Sequence, residues 1–141
     1  MAFNKYSARL AKEWGEHGKI IIAVDWDDTL SPWKLHKEHE LHPVWSLIKT
    51  CKYTGAFITI FTACNEDRYP EIMKYCEKKG LIPDSINQNP INLPYGNQNK
   101  VYANIFLDDR AGLDEAMRIL EEALYLHNGY LESQKHLDEI G

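Results

Sequence analysis

Residues 20–33 read IIIAVDWDDTLSPW. An unbroken apolar run drives straight into Asp25, Asp27 and Asp28, with no basic residue interleaved among them. Carboxylates gathered at a strand end repel one another unless a proton or a cation sits between them, so the pattern calls for a metal. A second acid pair, Asp108-Asp109, closes the apolar stretch IFLDD, and a third apolar stretch, FITIFT, closes on Thr62. A solvated loop is the ordinary setting for acids, but acids seldom abut buried strands without a task. Side chains two apart along a strand return to the same side. Asp25 and Asp27 therefore share a side, and Asp28 is expected to point elsewhere.

The elements that must hold these groups follow from periodicity. Phe3, Tyr6, Leu10 and Trp14 recur at three-to-four spacing, which predicts a helix over 3–16 that stops near Gly15 and Gly18. Ile20 to Val24 is apolar at every position, as suits a parallel strand buried on both faces. A helix is expected over 42–52 behind Pro43, a strand through AFITIFTA, a helix over 67–79 that stops at Gly80, and a short edge strand in SINQNP. VYANIFLDD reads as the third clear strand, and 113–127 as a strongly periodic helix followed by a helical tail. The order αβαβα(β)αβα predicts an open, mainly parallel sheet covered by helices on both sides, a three-layer α/β/α sandwich. Ligands of such sheets bind beyond the carboxyl ends of the strands. The polar groups singled out above all lie at those ends.

With these motifs the chain resembles the haloacid dehalogenase-like hydrolases. That family carries an apolar strand into D-x-D-x-T, a second into Thr or Ser, a later Lys, and a further strand into an acid pair. Here the corresponding stretches are VDWDDTL, ITIFT, Lys100 in GNQNKVYAN, and IFLDDRAG, over about residues 19–125. The likeness is to the small, nearly capless phosphatases of the family, with a single Rossmannoid domain over 1–141. It implies a Mg²⁺-dependent phosphomonoester hydrolase working through an aspartyl-phosphate. Asp25 would bind the metal and attack phosphorus. Asp27 would lend its backbone carbonyl to the metal while its side chain protonates the leaving oxygen and later activates water. Asp109 is the expected direct acidic ligand and Asp108 the group that holds Lys100 or a metal-bound water, roles the two could exchange. Thr62, by hydroxyl and backbone N–H, and Lys100, by charge, would bind the phosphoryl group. Carboxylates suit this hard cation, which prefers oxygen, and it offsets the repulsion between an anionic ester and an anionic nucleophile.

The rest of the sequence narrows the setting. A chain of 141 residues fits one domain, and 44% hydrophobic with 26% charged residues is ordinary globular composition. A net charge of −5 gives no general attraction to nucleic acid or an anionic membrane. No stretch is apolar enough for a membrane span or a signal peptide, so a cytoplasmic location is the expectation. Cys51, Cys64 and Cys76 are odd in number and lack C-x-x-C spacing, and are expected as buried or half-buried thiols. His36, His39 and His42 at steps of three could suggest zinc, but charged loop is the expected reading. Trp26 and Trp33 are either packing residues or contacts for an apolar or aromatic part of the substrate at the entrance, and Arg110 is expected to pair with an acid of the site rather than reach a second phosphate. The span after Leu30 is too short for a cap domain, so the site should be open to a phosphorylated small molecule or an exposed phosphate on a macromolecule. The Asn-, Gln- and Pro-rich segment 82–99 is the expected substrate contact. Readings of other classes are a metal-dependent nuclease, a phosphoacceptor module, or a binding protein on a degenerate phosphatase scaffold. In phosphoacceptor domains the acid pair precedes the acceptor, whereas here it ends the series.

Overall fold

In the computed structural model, residues 3–90 and 102–140 are described, with side chains to residue 135. Helix α1 spans Lys5–His17 and strand β1 spans Ile21–Asp25. They are followed by α2 (His42–Tyr53), β2 (Phe57–Phe61), α3 (Tyr69–Lys79), β3 (Ser85–Ile86), β4 (Ile105–Leu107) and α4 (Leu113–Ile140). Single 3-10 turns, Glu38–Leu41 and Glu66–Arg68, lead into α2 and α3. The Asn4 side chain caps α1 by accepting the Tyr6 N–H at 2.8 Å. Gly18 and Gly80 end α1 and α3 at φ 76° and 85°, left-handed values that a Cβ would disfavour. Pro43 and Pro70 sit in the first turns of α2 and α3, where no backbone donor is needed.

The four strands are all parallel, in the order β3-β2-β1-β4. The chain winds outward from β1 through β2 to β3 and then returns to β4 on the other side of β1. The structure is thus the expected single-domain Rossmann-like α/β sandwich, a parallel sheet with four helices. Val24 pairs in register with Ile60 on β2 and with Leu107 on β4. One residue further on, Asp25 and Asp108 come level at the carboxyl edge. This is the switch point of the sheet, where adjacent strands lead to connections in opposite directions and a crevice opens.

One hydrophobic core holds the strands under the helices. Ile20, Ile22, Val24, Ile58, Ile60 and Leu107 meet Leu10 and Trp14 of α1, Val44, Trp45 and Ile48 of α2, Ile72 and Cys76 of α3, and Leu120 and Ala123 of α4. Cys51 and Cys76 are buried and Cys64 is half-buried, all as free thiols, and burial pushes the Cys51 and Cys76 pKa values up to about 12. Trp26 belongs to this core as well. Its ring makes edge contacts with Tyr75 and Trp45 at 5.5 and 6.4 Å, which settles it as a packing residue.

One strand differs from the periodicity. The last strand is shorter than VYANIFLDD suggests, because only Ile105–Leu107 pairs with β1. The last helix and its expected helical tail form one element that runs through Asn128 and Gly129 to Ile140. The helix expected between the edge strand and the last strand falls on residues 91–101, outside the described residues. Among the described residues, no helix is long and apolar enough to cross a membrane.

Candidate active site

Asp25 is the last residue of β1, and the turn after it is closed by backbone bonds to two carbonyls. The Trp26 oxygen accepts the N–H groups of Leu30 and Ser31 at 3.0 and 2.9 Å, and the Asp28 N–H donates to the Ser31 oxygen at 2.8 Å. The buried indole Nε1 of Trp45 donates to the Leu30 oxygen at 2.9 Å, tying the turn to α2. This tight reversal swings Thr29 back beneath Asp25. The Thr29 Oγ1 lies 3.1 Å from Asp25 Oδ2 and 3.3 Å from Asp109 Oδ1, and it accepts the Asp109 N–H at 3.1 Å. Thr29 is fully buried.

Oxygens of Asp25, Asp108 and Asp109 all lie within 4.8 Å of one another, and each residue is half-buried. Burial is the largest influence on Asp25, the negative charge of Asp108 the next, and together with the Asp109 carboxyl they raise its pKa to about 7. The Thr29 hydroxyl and the Trp26 N–H pull the other way without winning. Burial disfavours the charged form and the neighbouring acids add to it, with no basic side chain of the described residues among the main influences on Asp25 in the other direction. Three carboxylate oxygen donors at partial burial are a group that could hold a metal ion. Asp27 stays half-buried and its carboxylate is not a member of this trio; its expected contribution to a metal was its backbone carbonyl.

Asp28 stands outside the trio as expected, through a turn beyond β1 rather than by alternation along the strand, and it is not solvated. It is 6% exposed, has φ 59°, and its carboxylate accepts four successive backbone N–H groups, those of Trp33, Lys34, Leu35 and His36, at 3.1–3.2 Å. Burial works to raise its pKa, and the four donors outweigh it, leaving the group below the usual carboxylate range. One of the three abutting acids is therefore compensated by amide dipoles rather than by a cation.

Thr62 stands one residue beyond Phe61, the register partner of Asp25, so it reaches the same edge. Its backbone N–H is not available for a ligand, contrary to the sequence reading. Asn87 Oδ1 accepts it at 2.8 Å, and Asn87 Nδ2 donates to the Thr62 oxygen at 2.8 Å and to the Tyr69 hydroxyl at 2.9 Å. The Thr62 Oγ1 accepts the Cys64 N–H at 3.3 Å, which leaves its own hydrogen to donate. Asn87, at φ 56°, is a positioning residue the sequence reading missed. An Asn directly after the short edge strand, a residue that tolerates left-handed backbone, was the available signal.

Lys100 lies outside the described residues, as does the second half of the 82–99 segment. The expected pairing of Arg110 is corrected, since it is its backbone N–H that reaches Asp108 Oδ1, at 3.0 Å, while its exposed guanidinium makes no ion pair among the described residues. His36, His39 and His42 do not gather into a ligand set among the described residues. His36 Nδ1 instead faces Glu40 at 3.6 Å.

No protein-family model and no curated protein matches the chain. Among solved structures it is similar to a conserved protein coded by a locus from Bacteroides thetaiotaomicron, with 20% identity, a TM-score of 0.59, and coverage of 74% of this chain and 91% of that one. At that identity the likeness shows the fold, a Rossmann-like α/β sandwich.

Proposed function

We propose that the protein is a haloacid dehalogenase-like phosphatase, a Mg²⁺-dependent hydrolase of phosphate monoesters that works through an aspartyl-phosphate on Asp25. The observation that carries this reading is the convergence of Asp25, Asp108 and Asp109 within 4.8 Å at the switch point of the sheet. Asp25, Asp108 and Asp109 would hold the ion, which supplies charge neutralisation between the ester and the carboxylates.

Asp25 Oδ1 is the nucleophile. Its Oδ2 is already turned toward Thr29 Oγ1 at 3.1 Å, so the other oxygen is left for phosphorus. The attack forms a P–O bond to Asp25 and breaks the ester P–O bond. Asp27, two residues on, gives a proton to the departing oxygen and then takes one from the water that releases phosphate. The Thr62 hydroxyl donates to a phosphoryl oxygen, and Lys100 supplies a positive charge to the same group on the strength of the family resemblance. Asp108, held by the Arg110 N–H, orients the trio.

The test is a panel of phosphate monoesters and one phosphodiester, assayed with Mg²⁺ and with chelator. Monoester hydrolysis that needs Mg²⁺, a phosphoryl adduct on Asp25 by mass spectrometry, and a loss of about a thousandfold or more in Asp25→Asn are expected. Cleavage of the diester alone would assign the site to a nuclease. Turnover within about tenfold of normal in Asp25→Asn removes the nucleophile from the scheme.

A further inference from the structure

The segment after the Asp28 turn combines a fixed backbone with exposed side chains. Four successive N–H groups, from Trp33 to His36, converge on the buried Asp28 carboxylate. Yet the side chains carried by that backbone face solvent, with Trp33 59% and Leu35 71% exposed. Exposing a tryptophan forfeits the burial of a large apolar ring, and a mobile loop would be free to fold the ring down onto apolar surface. Here the backbone is tied to one buried carboxylate, so the ring is held outward. Lys34 Nζ stands 4.2 Å from the centroid of the Trp33 ring. It stands over the ring, which stays 59% exposed, and among the described residues it has no carboxylate partner. The tether is Asp28, three residues beyond Asp25, so Trp33 and Lys34 belong to the connection that leaves the same strand end as the nucleophile candidate.

We infer that Trp33 is a stacking platform for a planar aromatic ring joined to the phosphoryl group, so that the site selects aromatic phosphomonoesters over ringless ones. The inference deepens the phosphatase reading and rests on it for the phosphate end of the ligand. A ring stacked on an exposed tryptophan whose backbone is already ordered gains dispersion and quadrupole attraction with little ordering cost. The same chemistry is offered by the base of a mononucleotide and by the ring of an aryl phosphate. The acid trio anchors one end of either ligand, and Trp33 reads the other.

The test measures binding by calorimetry to the full chain carrying Asp25→Asn, with Mg²⁺ present, so that ligand is not consumed. Adenosine 5′-monophosphate is compared with ribose 5-phosphate, and O-phosphotyrosine with O-phosphoserine. At least one ring-bearing ligand is expected to bind about tenfold or more tightly than its ringless counterpart, and the pair that shows the difference identifies the source of the ring. Adding Trp33→Ala should collapse that ratio toward one, while Trp33→Phe should keep most of it. Equal affinities within both pairs, no measurable binding of either ring-bearing ligand, or a preference that survives Trp33→Ala overturns the platform. If esters are hydrolysed without regard to the ring, the platform falls and the phosphatase reading stands. If the ring preference in binding is present but the unmodified protein hydrolyses nothing, the phosphatase reading falls and the platform stands.

Discussion

The backbone N–H of Asp109 donates to the side-chain oxygen of Thr29 at 3.1 Å, across a sequence separation of 80 residues. This bond joins the end of β4 to the turn after β1. The hydroxyl hydrogen then has two carboxylate acceptors, Asp25 Oδ2 and Asp109 Oδ1. Thr29→Val keeps the shape and removes the oxygen, leaving a part-buried donor unsatisfied. We expect a loss of about 1–3 kcal/mol in urea unfolding, and recovery of most of it in Thr29→Ser. Equal stability of the valine and serine variants would show that the hydroxyl does not tie the two strand ends together.

Metal binding separates Asp28 from Asp109. A cation that binds only the folded arrangement stabilises it by mass action, so Mg²⁺ should raise the melting temperature and Asp109→Ala should lose most of that rise. Asp28→Asn should keep the rise but lower both the metal-free and the metal-bound melting temperature. The amide presents one oxygen where the carboxylate presents two, and loss of bonds to a buried charge costs about 1–3 kcal/mol. A melting temperature indifferent to millimolar Mg²⁺, or equal loss of response in the two variants, contradicts this division of roles.

Acidity gives a separate measurement. The Asp25 pKa is raised from an ordinary 3.8 to about 7 in the folded protein, first by burial and then by Asp108. The folded state therefore holds a proton that the unfolded chain releases, and the stability from this group is fully present below 3.8 and is lost as pH rises through about 7. In chelator, the unmodified protein should lose stability relative to Asp25→Asn as pH rises across that window, and level off above it. Asp28, held below its usual range, acts at lower pH, where its contribution is lost on acidification, so the two effects do not overlap. A flat difference between the two proteins from pH 4 to pH 8 would remove the crowding of the trio as the cause.

For Asp27, the leaving group is the probe. Asp27→Asn should slow alkyl phosphates more than aryl phosphates, because a good leaving group needs little protonation, and phosphoenzyme should accumulate because water still lacks its base. Equal slowing of both ester types with no trapped intermediate assigns the acid-base role elsewhere.

Local pattern was enough to read β1 and β2, since their apolar runs are bounded by polar residues and buried strands need little else. Asp28 does stand apart from Asp25, but the cause is the left-handed turn beyond the end of β1 rather than alternation along the strand. The meeting of Asp108 and Asp109 with Asp25 was expected from the family resemblance, and local pattern does not contain its physical cause. Asp108 reaches Asp25 only because β1 lies between β2 and β4, and strand order depends on how connections cross the sheet rather than on any residue in the strands. The four donors to Asp28 come from residues that fold back on it through a left-handed turn, and Asn87 meets Thr62 across 25 positions. Spacing alone put Asp25, Thr62, Asp108 and Asp109 at the carboxyl ends of apolar stretches. The tertiary structure decided which carboxylates share one space and which is compensated by amides, because electrostatic and hydrogen-bond energies depend on distances that chain order does not contain.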